Sequence, residues 1–235
     1  MPRRAPATSR APLGAPLFLL NLKVYPSCLG AAALRLGRLL ERAGAQSGVC
    51  VAIAPAPTDV GLLARFLSIP VLAQHTDAVD AGAHTGSVTA EAVAASGARG
   101  SLVNHSEHRV DYAVAAQIVA RLEGAGLVPV VCAQDVPDAR RLAALHPPYL
   151  AVEPPELIGG SRAVSTTRPE VVSGTVAAVE RRSPRTRVLC GAGVHDANDV
   201  RRALELGSAG VLVASAVTRA AQPRAAIYEL LRGFR

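Results

Sequence analysis

Ala151-Val152-Glu153-Pro154-Pro155-Glu156-Leu157-Ile158-Gly159 is the stretch on which the fold of this chain turns. A short apolar run ends in a carboxylate, and two prolines follow at once. Proline fixes its own backbone angle and cannot continue a ladder of hydrogen bonds. Glu153 is therefore expected at the carboxyl end of a strand, beside a loop with a stiff entry. In a barrel of alternating strands and helices, that end carries the chemistry. A lone Glu at a strand end is commonly just a solvated loop start. Its weight here comes from polar residues in equivalent places, Asn21 and Lys23 after one apolar run and His105 after another.

Short β-like runs recur along the whole chain. They are expected at 17–20, 49–54, 69–73, 101–104, 128–133, 149–152, 188–190 and 211–214. Most are continuous Val, Leu, Ile, Ala and Cys, the pattern of strands covered on both faces. Amphipathic helical stretches lie between them, most clearly at 31–43, 108–123, 168–182 and 197–206. Asp196 is placed to cap the last of these and Gly207 to end it. Pro57-Thr58-Asp59 and Asp135-Val136-Pro137 read as turn or helix-start signals, and 75–87 as a long loop. Eight strand-helix units in 235 residues fit a closed (β/α)8 barrel of eight parallel strands. An open doubly wound sheet is the alternative, and the Gly-x-Gly-x-x-Gly expected after its first strand is absent.

Composition agrees with that architecture and narrows the function. Half of the residues are hydrophobic and 3% are aromatic, a core of small branched side chains. The balance of 25 basic to 18 acidic residues leaves a charge of +7. Arg3, Arg4 and Arg10 supply part of it from a Pro, Ala and Arg-rich segment, residues 1–15, that reads as a mobile tail ahead of a single catalytic domain over 16–235. No basic run is interleaved with aromatic residues, so nucleic acid is not an expected partner. The apolar run 17–20 is too short for a signal peptide, and nothing approaches a membrane span. Cys28, Cys50, Cys132 and Cys190 form no Cys-x-x-Cys pair and read as small buried hydrophobes in a reducing cytoplasm. The six histidines show no metal-binding spacing.

Three polar sites and two small-residue turns carry the chemistry. Lys23, in Asn21-Leu22-Lys23, is the only lysine among the 25 basic residues. A Lys retained where Arg is so favoured points to a need for a compact, mobile charge. His105, in Asn104-His105-Ser106-Glu107, is expected just before the 108–123 helix, whose first backbone N–H groups disfavour an imidazolium. Glu153 offers the carboxylate that moves a proton between carbons. The turns Gly191-Ala192-Gly193 and Gly210 to Ala216 follow the last two strands, where such barrels hold phosphate on backbone N–H groups. Tight strand-helix packing would call for the same small residues.

Taken as a set and in this order, these motifs resemble the triosephosphate isomerase family. Gln74-His75 with Gly82-Ala83-His84-Thr85-Gly86 is similar to that family's third, subunit-bridging loop. The Pro-Pro-Glu-Leu-Ile-Gly lid and the short chain resemble its compact archaeal-type branch. The resemblance implies interconversion of dihydroxyacetone phosphate and D-glyceraldehyde 3-phosphate through an enediol(ate). It implies Glu153 as base, His105 as neutral electrophile, Lys23 and Asn21 as substrate-binding groups, and Glu107 as the carboxylate supporting the lysine. Gly159, Gly193, Ala214 and Ser215 match the family's phosphate-holding positions. It also implies a lid from Pro154 to about Thr166, no metal or organic cofactor, a cytoplasmic glycolytic and gluconeogenic enzyme, and a homo-oligomer, dimer or tetramer. Two departures stand out. Gly160-Ser161 replaces the family's usual Thr-Gly, and Ala214-Ser215 stands where many members have Gly-Gly. A tetrulose phosphate isomerase and a non-catalytic phosphate-binding barrel remain open as alternatives.

Overall fold

The computed structural model describes residues 13–154 and 163–235. Eight parallel strands alternate with helices. In chain order they are β1 (Leu17–Asn21), α1 (Ala31–Ser47), β2 (Cys50–Ala54), α2 (Val60–Phe66), β3 (Leu72–Ala73), α3 (Ala90–Ala95), β4 (Gly100–Val103), α4 (Tyr112–Gly124), β5 (Val128–Ala133), α5 (Val136–Leu142), β6 (Tyr149–Val152), α6 (Val164–Thr167), α7 (Pro169–Arg182), β7 (Arg187–Cys190), α8 (Ala197–Glu205), β8 (Gly210–Val213), α9 (Ser215–Thr218) and α10 (Pro223–Arg232). The ladder runs β2-β1-β8-β7-β6-β5-β4-β3, every pair parallel. A single parallel bridge between Ile53 and Val71 joins its two ends and closes the barrel.

The period of two along each strand sorts the apolar residues into two cores. Leu17, Leu19, Leu102, Val130, Tyr149, Ala151, Leu189 and Leu212 pack together inside the barrel. Phe18, Leu20, Val103, Val131, Leu150, Val152, Val188 and Val213 face outward, against the helices. The same alternation sets the site. Asn21 continues the inward parity of Leu17 and Leu19, and Glu153 continues that of Tyr149 and Ala151.

The structure corrects several expected boundaries. The third strand shrinks from 69–73 to two residues. Pro70 has no N–H to give the ladder, although its carbonyl accepts from Ile53 N at 3.0 Å. The first strand gains Asn21, and the fourth stops short of Asn104, whose φ of 60° leaves the extended region. The fourth helix begins at Tyr112 rather than at 108. Residues 105–110 are held in a turn instead: His108 N donates to His105 O at 2.8 Å, and Val110 N to Asn104 Oδ1 at 3.0 Å. The first helix continues past 43 to Ser47, where Gly48, at φ 74°, returns its N–H to Gly44 O. The Asp196 cap is as expected, accepting from Asp199 N at 2.9 Å, and Asp135 caps α5 in the same way.

Leu13 and Gly14, assigned by composition to the tail, pack onto the amino-terminal floor of the barrel. Leu13 is buried among the interior residues, and Gly14 O accepts from Tyr149 Oη at 2.8 Å. Residues 1–12 lie outside the described part of the chain.

Candidate active site

The carboxyl ends of β1, β4, β6, β7 and β8 converge on one mouth. Asn21, Lys23, His105, Glu153, Gly193, Ala214 and Ser215 line a single cavity there. Glu107 stands at its edge. All of the expected site residues are thus brought together except Gly159, which, with the Gly160-Ser161 departure and most of the lid, lies outside the described residues.

Lys23 sits just past β1 with a φ of 50°, the left-handed region. A non-glycine residue there costs roughly 1–2 kcal/mol, so neighbours must hold it. Lys23 N donates to Asn21 Oδ1 at 3.0 Å. The Gln74 amide nitrogen lies 3.0 Å from Lys23 O, 3.0 Å from Ala54 O and 3.2 Å from Asn21 Oδ1. Its two protons are shared among three acceptors. That arrangement fixes the direction of the lysine stem. The ammonium meets Glu107 Oε1 at 2.7 Å. Glu107 is more than half exposed, so solvent screens the pair and leaves the lysine charge available.

His105 is held from both sides. Asn104 bridges to the neighbouring strand end, donating from Nδ2 to Cys132 O at 2.9 Å. Glu107 N donates to His105 Nδ1 at 3.2 Å. A ring nitrogen that accepts carries no proton, so the neutral ring bears its hydrogen on Nε2, pointing into the cavity. This replaces the helix-start account of the sequence, since α4 begins seven residues after His105.

Glu153 is buried at the end of β6, with its own N–H given to Ala133 O at 2.7 Å. One carboxylate oxygen, Oε1, lies 3.5 Å from His105 Nε2. The other, Oε2, has no hydrogen-bond partner among the described residues. Burial pushes the carboxyl above its ordinary range. The neighbouring His105, a hydrogen bond from the Cys132 thiol and the more distant Lys23 pull in the opposite direction. Burial, with the carboxylate beside it, likewise drives the Cys132 thiol well above its usual value, so it remains a protonated donor.

Two contacts at this carboxylate escaped the sequence reading. Cys132 appeared only as a small hydrophobe, and Gly191 only as part of an anion-binding turn. A Cβ on Gly191 would stand 2.5 Å from Glu153 Cγ, so the glycine leaves room for the carboxylate. Strand parity reveals both. Cys132 follows the inward Val128 and Val130, and Gly191 follows the inward Leu189. The long loop after β3 is pinned at its base, where Asp77 N donates to Val88 O at 2.8 Å and Asp77 Oδ2 accepts from Val88 N at 2.7 Å. His75 bonds Asp77 at 3.1 Å and stacks on His108, ring centroids 3.7 Å apart.

Among the described residues no group of three or more His, Cys, Asp or Glu could hold a metal ion, and no helix is long and apolar enough to cross a membrane. The site can move a proton at a carbon next to a carbonyl: it has a buried carboxylate, an N–H donor beside it and a cation at the rim.

The model of the triosephosphate isomerase family matches residues 16–231. Curated relatives named triosephosphate isomerase include that of Methanothermus fervidus, 44% identical over 92% of this chain and 97% of the relative. That of Methanosarcina acetivorans is 43% identical over 94% and 99%, and that of Methanocaldococcus jannaschii 40% identical over 92% and 99%.

Proposed function

The chain belongs to the triosephosphate isomerase family, and from that premise we propose how it interconverts dihydroxyacetone phosphate and D-glyceraldehyde 3-phosphate. Glu153 takes a proton from the carbon beside the carbonyl. The electron pair moves onto the carbonyl oxygen, giving a cis-enediol(ate). The Nε2–H of His105 and the ammonium of Lys23 stabilise that developing negative charge, and Asn21 helps to orient the substrate. Glu153 then returns a proton to the neighbouring carbon. Glu107 is a positioning residue for Lys23. Backbone N–H groups at Gly193, Ala214 and Ser215, with Gly159 from the lid, hold the phosphate.

One observation carries this reading. A buried carboxylate with a raised proton affinity stands 3.5 Å from a neutral imidazole whose proton faces the cavity. An acid is a useful base near neutral pH when burial raises its pKa. Closure of the lid would exclude water and raise it further. A coupled assay comparing three-carbon and four-carbon ketose phosphates tests the assignment. The expected result is turnover of dihydroxyacetone phosphate at least tenfold faster, per unit kcat/KM, than of a tetrulose phosphate. The reverse preference would make this a tetrulose phosphate isomerase, and tight anion binding without turnover would make it a binding barrel.

The assembly proposed is a homo-oligomer, dimer or tetramer, in which the Gln74 to Gly86 loop reaches a neighbour. Its support is an exposed apolar residue at the mouth, Val24, 65% accessible just past β1. A cytoplasmic location rests on four cysteines that are all free, one of them, Cys132, inside the barrel beside Glu153.

A further inference from the structure

A cavity of about 1070 Å³ opens on the outer face of the barrel, between α1 and the segment that runs from α9 into α10. It is larger than the proton-transfer site needs and contains none of its chemistry. The two share a wall. Tyr25 lines both cavities, and α9 gives Ser215 to the active site and Thr218 to the outer groove. The turn that follows Tyr25 is tied to the same helix, Ser27 Oγ lying 3.5 Å and Cys28 Sγ 4.0 Å from Thr218 O.

The lining combines two features seldom explained together. Arg35, Arg219 and Arg224 border the groove, while among the described residues no Asp or Glu does. Between them lie an apolar floor, including Leu36 and Val217, and two tyrosines. The Tyr228 ring is fixed by a hydrogen bond from its hydroxyl to Gln46 Oε1 at 2.6 Å, and Arg224 lies 5.8 Å from its centroid. An inorganic anion has no use for the apolar floor, and a neutral apolar ligand leaves three guanidinium groups unanswered. A flat ring bearing phosphates satisfies both, stacking on tyrosine and taking forked hydrogen bonds from arginine.

We propose that this groove is an effector site for a nucleoside phosphate. Its ligand touches the back of the wall whose front faces the substrate. Because Tyr25 and α9 belong to both sites, occupancy of one changes the affinity of the other, and by the same factor in each direction.

Titration calorimetry with ADP, without magnesium and with the active site saturated by 2-phosphoglycolate, tests this. The expected result is saturable binding of one ADP per chain, at least tenfold weaker in Arg35→Ser/Arg224→Ser. Those two residues lie outside the substrate site, so the variant keeps the parent's kcat and KM when ADP is absent. Arg219→Gln gives an independent variant with the same expected loss. ADP is also expected to shift the Kd of 2-phosphoglycolate at least twofold. The proposal fails if ADP shows no saturable binding, if 2-phosphoglycolate displaces it, if both arginine variants bind it as the parent does, or if equimolar inorganic phosphate abolishes its binding. It fails as an effector site if ADP leaves the Kd of 2-phosphoglycolate unchanged.

Discussion

The two ends of the barrel treat buried polar groups in opposite ways. At the floor, the Tyr149 hydroxyl is fully used, donating to Gly14 O at 2.8 Å and accepting from Arg187 Nη1 at 3.0 Å. At the mouth, Glu153 Oε2 is buried with no partner among the described residues, and Lys23 and Asn104 hold left-handed backbones. One strand, β6, spans the difference: it begins with Tyr149 and ends just before Glu153. A closed barrel can carry an under-paired rim because satisfied packing below it supplies the stability. The floor sets how firmly the chain folds, and the mouth sets what it does.

Replacing Glu153 by Gln should separate the two ends most sharply. Loss of the base is expected to cut kcat by about 10²–10⁴-fold. The same change should raise stability at neutral pH. Burial raises the folded-state pKa of Glu153 above its unfolded value. Its contribution to stability is therefore full below the unfolded pKa and is lost as pH rises through the folded one. The Gln variant, which has no charge to bury, should melt higher than the parent above that pH, and the gap should close on acidification. In the parent, kcat/KM should fall as pH drops through this raised pKa. Thermal melts and rate profiles across acid and neutral pH check both halves. A variant that melts below the parent at neutral pH would mean that the carboxylate is stabilising and the mouth is not under-paired.

Much of this is legible in the sequence. Continuous apolar runs announced doubly covered strands, and polar residues at three run ends marked the mouth. Less legible was everything that depends on one strand facing another. The sequence places Gln74 in a loop, but only the closed barrel brings its amide against Asn21 and Lys23. His105 was expected beside a helix start, because Asn104 gives no sequence signal that its side chain will reach forward to Val110 and delay the helix. Leu13 read as tail because composition cannot show that a cap on the barrel floor needs one more apolar residue. Cys132 and Gly191 could have been found, since counting by twos from the inward residues of β5 and β7 lands on both. What could not be counted is that they meet the same carboxylate.

That meeting predicts a smaller effect than the loss of the base. A methyl group at Gly191 would overlap Glu153 Cγ, at 2.5 Å, and push the carboxylate away from its place beside His105. Gly191→Ala should lower kcat by about 10–10²-fold, the usual consequence of misplacing a reacting group by around an ångström. The backbone there is outside the left-handed region, so folding carries no conformational penalty from the alanine itself. Steady-state kinetics alongside a thermal melt decide the matter. An alanine variant with full activity would show that the carboxylate does not need the space the glycine leaves.

The smallest effect on turnover should come from the floor. Tyr149→Phe keeps the ring that fills the barrel and removes only the hydroxyl shared by Gly14 O and Arg187. Leaving those partners without it should cost about 1–3 kcal/mol, which in a chain of this size lowers Tm by roughly 2–4 °C per kcal/mol. Only three residues lie between Tyr149 and Glu153, yet kcat should stay within about twofold of the parent, since nothing at the floor touches the reacting groups. Measuring kcat well below the variant's melting range isolates the two properties. If turnover fell tenfold while the chain remained folded, β6 would be transmitting strain from floor to mouth. The two ends would then be one coupled unit rather than a support and a site.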